Sequence, residues 1–280
     1  MAEKNLQMRR KLADGNFDDY FPITKAVNVK MDDGSTLESS ILFRRTDKGL
    51  PYDNKVLGNW SNTHWPFTSP LKDGILYASE TGNNVVKSND VTNRESGSLS
   101  PFKSPFGGQH AFYNSEDGYV YFINPSSVLH KVLFSALNPS TTPTTTSGTI
   151  YLNGGRTYPL IIGGQIYIVW YGVNADWSTK LYRATWGTVT PTLIATIYPG
   201  QPQAPTFVST DGTYIYILIS SPNGGYRITK YNTSGVLLTT HYIDTTFLKW
   251  IVGFIYSGTP GLFYLIYQAH DMYFSAKINI

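Results

Sequence analysis

Asp117-Gly-Tyr-Val-Tyr121 places a turn former and a glycine directly ahead of an apolar run that ends in tyrosine. The pattern recurs as Asp73-Gly-Ile-Leu-Tyr77, Gly163-Gly-Gln-Ile-Tyr167, Gly212-Thr-Tyr-Ile-Tyr216 and Pro260-Gly-Leu-Phe-Tyr264, with the tyrosines 44, 46, 49 and 48 residues apart. One Asp-Gly turn before a strand is common in any antiparallel sheet. Five at near-constant spacing form a repeat, and a period of roughly 40 to 50 residues suits a four-stranded propeller blade.

The surroundings of each tyrosine repeat too. Upstream lies an apolar first strand, at 109–114, 157–162, 205–210 and 250–257; the tyrosine run is the second strand. A third strand with a basic residue among apolar ones follows, at 130–134, 180–183, 226–230 and 273–277. Alternation of this kind suits antiparallel strands. Fourth strands are expected at 149–152, 192–197 and 236–242, while 138–148, rich in Thr, Ser and Pro, reads as a long loop. The last repeat stops after its third strand, and an unpaired edge would expose backbone donors and acceptors. The segment 55–61 is therefore expected to pair with that third strand and fasten a ring. The fold class expected is all-β: a five-bladed β-propeller over 46–280, preceded by a short segment, 1–45.

Composition agrees with this reading. The 280 residues hold 21 Tyr, 14 Phe, 6 Trp, 25 Gly and 16 Pro, a mixture that favours short strands and tight turns over long helices. Cysteine is absent, which excludes disulfides, thiolate nucleophiles and Cys-ligated metals. Four of the 22 basic residues and one of the 19 acids fall within residues 1–11, so the formal +3 belongs to that tail and the body is neutral. No basic patch for nucleic acid is evident, and the longest apolar stretch, 247–256, is too short for a membrane helix.

Catalysis finds little support in the residues. Glycoside hydrolysis at a propeller axis needs two or three converging carboxylates, and the first strands of repeats two to five have no Asp or Glu before their closing turns. The five histidines lack metal-ligand spacing, and Gly154-Gly155 and Gly163-Gly164 lack the context of a phosphate loop. No catalytic residue, metal or cofactor is expected.

Binding is the better expectation. Connections between second and third strands are longer and more varied than the tight turns at the other end, which makes theirs the adaptable face. On it, Tyr171-Gly-Val-Asn174-Ala-Asp176-Trp177 combines rings with an amide and a carboxylate. Sugars stack on such rings and bond such polar groups; packing between blades is the competing role for Tyr171 and Trp177. His270 and Asp271, in the corresponding connection of the last repeat, complete the candidate ligand-binding set. Trp60 and Trp65, which flank His64, read as packing residues.

Residues 1–54 differ in kind. Asp14-Gly-Asn-Phe17-Asp-Asp-Tyr20-Phe21-Pro22-Ile-Thr-Lys-Ala-Val-Asn-Val29 precedes Asp32-Asp-Gly-Ser35-Thr-Leu37-Glu38, where Ser35 and Glu38 form a capping box for a helix of about two turns. This stretch resembles the leader of tail-fibre and receptor-binding proteins from phages of Gram-positive bacteria. A propeller after such a leader resembles several staphylococcal phage proteins of that class. The resemblance implies that Phe17, Tyr20, Phe21, Pro22, Val29 and Leu37 anchor the chain to other tail or baseplate proteins. It also implies a homotrimer and a host cell-wall glycan such as teichoic acid as ligand. The expectation is a non-enzymatic adhesion protein of the virion tail tip or baseplate, assembled in the host cytoplasm, with no nucleic acid and no membrane insertion. A structural tail protein and a polysaccharide-degrading enzyme are the alternatives.

Overall fold

A computed structural model describes residues 52–56, 60, 64–80, 85–90, 98–103, 110–124, 126, 128–137, 145–148, 152, 155–172, 178–187, 190–198, 205–220, 226–243, 250–269 and 272–280. The chain divides between residues 50 and 51, and every described residue belongs to the second unit. The expected helix near Ser35 and the anchoring residues Phe17, Tyr20, Phe21, Pro22, Val29 and Leu37 lie outside the described residues.

Twenty strands are described. They begin with β1 (Tyr52–Val56), β2 (His64–Pro66), β3 (Ile75–Glu80), β4 (Val85–Asp90) and β5 (Ser98–Lys103). Next come β6 (Ala111–Asn114), β7 (Tyr119–Ile123), β8 (Leu129–Leu133), β9 (Thr146–Gly148), β10 (Gly155–Ile162), β11 (Gln165–Gly172), β12 (Thr179–Ala184) and β13 (Thr192–Tyr198). The rest are β14 (Pro205–Thr210), β15 (Ile215–Ser220), β16 (Tyr226–Tyr231), β17 (Leu237–Ile243), β18 (Trp250–Tyr256), β19 (Leu262–Ala269) and β20 (Met272–Asn279). Among the described residues the helical element is one 3₁₀ turn, Phe134–Ala136.

Four sheets are built from consecutive strands, β2–β5, β6–β9, β10–β13 and β14–β17; another takes β18, β19 and β20 and adds β1 at its edge. All pairings are antiparallel. Second-strand residues alternate between two neighbouring cores. On β15, Ile215, Ile217 and Ile219 face the core shared with β10–β12, while Tyr216 and Leu218 face the core shared with β18–β20. On β19, Phe263, Leu265 and Tyr267 join the latter, while Tyr264 and Ile266 pack with Trp60, Leu76 and Ala78 of the first sheet. Phe67, Ala111, Val120 and Phe122 fill the space between the first sheet and the next. Burial on both faces explains why the second strands read as near-continuous apolar runs. The result is an all-β, β-propeller arrangement of sheets.

The hairpin turns show why the repeat carries its residue types. Gly163 and Gly164 both have positive φ, 56° and 71°, as a two-residue hairpin between Ile162 and Gln165 requires. Asp117 accepts from the Tyr119 amide at 3.0 Å through one carboxylate oxygen and from the Tyr121 hydroxyl at 2.5 Å through the other. Asp211 repeats this arrangement with the Thr213 and Tyr214 amides and the Tyr216 hydroxyl, at 2.9, 2.7 and 2.7 Å. Across the strands, Lys131 lies opposite Tyr121 and Lys230 opposite Tyr216. Lys131 Nζ is 4.4 Å from the Tyr119 ring and 4.5 Å from that of Trp186, and Lys230 Nζ is 3.9 Å from Tyr214. Lys131 and Lys230 are thus held over aromatic faces, an attraction of about 0.5–1 kcal/mol at exposed sites.

Two strand expectations need correction. The strand paired with β20 is Tyr52–Val56, so it overlaps the expected 55–61 only at Lys55 and Val56. Trp60, inside the expected span, is buried in the core between sheets and is not in a strand. The fourth strand of the second sheet is Thr146–Gly148, inside the segment read as loop and ahead of the expected 149–152; Leu152 is buried outside any strand. Gly148 belongs there because a Cβ would meet the Trp186 ring at 3.1 Å. The neighbouring sheet, not local propensity, set that register.

Candidate functional site

The starts of β2, β10, β14 and β18 and the ends of β3 and β11 lie at the same end of their sheets, because neighbouring strands run antiparallel. That is the end where sequence reasoning placed the ligand. Asn174, Asp176, Trp177, His270 and Asp271 lie outside the described residues. Tyr171 is described: it is the last residue but one of β11, stands opposite Arg156, and is 4% exposed. Its ring is a packing surface, and burial raises its hydroxyl pKa while Arg156 works against that rise.

The structure gathers at this end residues that the sequence reading left out. His110, just ahead of β6, is buried among groups from three other first strands. Its Nδ1–H donates to the Pro66 carbonyl at 3.0 Å, and since a carbonyl can only accept, this fixes the neutral tautomer. Its ring lies 4.4 Å from Tyr158, 4.9 Å from Trp65 and 6.0 Å from Phe207. Burial lowers the His110 pKa to about 4; the Pro66 bond opposes this and Arg156 adds to it. Thr68, two residues after β2, hydrogen-bonds through its hydroxyl to the carbonyls of Ala111 in β6 and Pro159 in β10.

Arg156 is exposed on the second residue of β10, with its guanidinium 5.6 Å from the Trp65 ring centroid and hydrogen-bonded to the Tyr158 hydroxyl. Tyr158 is buried, and desolvation pushes its pKa up to about 12 against the pull of Arg156. The close approach at Gly155 helps seat Arg156: a Cβ there would lie 2.4 Å from the Tyr171 carbonyl oxygen and 2.6 Å from Trp170 Nε1.

On the first sheet, buried His64 faces Glu80 across the β2–β3 ladder at 3.7 Å, and Trp60 lies edge-on to the His64 ring at 4.9 Å. Trp60 and Trp65 therefore do pack, as expected, but against histidines at the candidate site. His64 with Glu80 is a histidine–carboxylate pair that adjacency in the chain could not reveal; pairing between neighbouring strands created it. Described β2, β6, β10, β14 and β18 contain no Asp or Glu, so Glu80 enters from a second strand. Among the described residues no group of three His, Asp or Glu could hold a metal. At the same end, Tyr242 (71% exposed) and Trp250 (59% exposed) present rings to solvent. Among the described residues, the end offers exposed ring faces, the exposed Arg156 guanidinium and a neutral buried imidazole.

The fold and this end of it define a β-propeller protein. No family model and no curated protein match the chain. Among solved structures it is similar to one described as a streptogramin B lyase, at 11% identity and a TM-score of 0.37, covering 81% of this chain and 97% of that one. It is also similar to an oligogalacturonate lyase in complex with manganese, at 12% identity and a TM-score of 0.38. That match covers 72% of this chain, which spans about half the length of the other, 55%.

Proposed function

We propose that the five sheets are five blades of one closed propeller and that the protein is a non-enzymatic host-adhesion component of a phage tail tip or baseplate. In this reading the end bearing Arg156 faces the host and binds a cell-wall glycan such as teichoic acid. The observation that carries it is the collection of exposed rings and a cation at the end with varied connections, beside first strands whose described residues lack acids. Asn174, Asp176, Trp177, His270 and Asp271 belong to the same connections and are the proposed ligand contacts. The segment 1–45 attaches the protein to other tail proteins through Phe17, Tyr20, Phe21, Pro22, Val29 and Leu37, in a homotrimer assembled in the host cytoplasm and carried in the virion.

The test is sedimentation of the full chain with purified Gram-positive cell walls. Saturable binding that Trp177→Ala weakens is the expected result. Absence of binding by the unaltered chain overturns the reading, and release of reducing sugar would restore the polysaccharide-degrading alternative. A second reading, a structural tail protein that uses the propeller for virion contacts, is favoured by the exposed Leu193, Val236, Leu237 and Leu238 on and beside the outer strands β13 and β17. Antibody labelling of virions separates the two, since an adhesin must present the propeller at the distal surface of the tail.

A further inference from the structure

We infer that Arg156 is an oxyanion-binding residue, so that this end of the propeller selects anionic saccharides, phosphodiester or carboxylate, over neutral ones. The inference deepens the glycan-binding reading by naming the charge of the ligand. It begins from contrast with other cations. Lys131 and Lys230 lie over pairs of tyrosine rings and Lys180 over Trp170 at 5.2 Å, each on a third strand and directed to rings of its own or a neighbouring sheet. Lys72 pairs with Asp73 at 2.9 Å. Arg156 stands on a first strand, is exposed, and among the described residues has no carboxylate partner.

Among the described residues, its surroundings hold the side chain without a carboxylate to neutralise it. The Trp65 ring centroid lies 5.6 Å from the guanidinium, and the Tyr158 hydroxyl accepts one of its hydrogen bonds. A guanidinium has five N–H donors in a rigid fork, and among the described residues only the Tyr158 hydroxyl is shown to take one. His110, within the same cluster, is kept neutral near pH 7 by its burial and adds no charge there. At this end Arg156 is thus the exposed arginine among the described residues, with its guanidinium near an aromatic ring. Bidentate pairing of arginine with phosphate or carboxylate is the chemistry such a fork serves, and the Trp65 ring supplies a face for the sugar beside it.

Titration calorimetry of the full chain with glycerol 1-phosphate, glucuronate and N-acetylglucosamine tests this. The phosphate and the uronate arms report which oxyanion is preferred; the neutral sugar is the control. Arg156→Gln is expected to weaken oxyanion binding about tenfold or more, the scale of a charge-assisted hydrogen bond, and Arg156→Lys to restore part of it. Affinity for the anions is expected to fall with added salt, with N-acetylglucosamine unaffected by either variant. Equal affinity of Arg156→Gln and the unaltered chain for both anions overturns the assignment, as does neutral sugar bound as tightly as either anion. Failure of the two readings is distinguishable. Saturable wall binding that Arg156→Gln leaves intact sinks the anion site and spares the adhesin. Arg156-dependent anion binding without wall binding does the reverse.

Discussion

The hydroxyls of Tyr121 and Tyr216 close small rings with the carboxylates of Asp117 and Asp211, so the residue ending each motif braces the turn that begins it. The half-buried Tyr216 bond is short and has a charged acceptor, a class worth roughly 1.5–3 kcal/mol when one partner is removed. Tyr216→Phe is expected to lower unfolding free energy by about 1.5 kcal/mol, read by urea denaturation. Asp211→Ala should cost more, because it also frees the Thr213 and Tyr214 amides. If Tyr216→Phe unfolds at the same urea midpoint, the brace contributes nothing. His110 supplies a second test at this scale. Its folded pKa, about 4, lies below the ordinary 6.5, so the unfolded chain binds the proton first. The stability this site holds is complete above pH 6.5, declines as pH falls towards 4 and is then exhausted, a change of up to about 3 kcal/mol. Thermal melts between pH 7 and 4 should show that slope, and His110→Gln should flatten it.

At the level of strands, β1 covers the edge of the last sheet. It joins β20 through pairs Tyr52 with Lys277, Lys55 with Ser275 and Val56 with Phe274, and without it the last sheet ends in an open edge. Deletion of residues 1–56 is expected to lower the melting temperature and promote association, visible by calorimetry and size-exclusion chromatography. A synthetic peptide spanning 50–60 should reverse both effects if strand pairing is the cause. Deletion that leaves the melting temperature unchanged would show that β20 does not depend on its partner. β9 makes a related point: three residues of a Thr-rich stretch become a strand because β8 offers them Leu129, His130 and Lys131 as partners and Trp186 covers Gly148.

For the molecule as a whole, the abundance of tyrosine has a consequence at high pH. Burial raises the hydroxyl pKa of Tyr77, Tyr121, Tyr158, Tyr171, Tyr216, Tyr256 and Tyr267; at Tyr121 and Tyr216 the neighbouring aspartate raises it further. Each raised value means that the unfolded chain loses its proton first. Stability is therefore whole below pH 10 and falls as pH climbs beyond it, with several groups contributing together. Alkaline unfolding followed by tyrosinate absorbance should be cooperative, with ionisation of these groups coincident with loss of the β-sheet circular dichroism signal. Gradual ionisation at ordinary pKa values with the sheet signal intact would mean that the rings are not held as described.

The order of residues was sufficient for most of what hairpin neighbours settle, β9 being the exception. Turn, tyrosine and basic residue recur at fixed offsets because strands two and three of a sheet are adjacent in the chain; for that reason β14 and most bounds of β13, β16 and β17 were legible to within a residue. The need for a strand from before the first motif was legible as well, since an open edge is costly wherever it occurs. Contacts around the axis were not. His110 meets Pro66, 44 residues earlier, and Phe207, far later; Trp65 meets Arg156; Gly148 lies under Trp186. None of these pairs has a periodic signature, because each depends on how far one twisted sheet is rotated and staggered against the next. Folding brings such residues together through packing between sheets, and the candidate site is made of them.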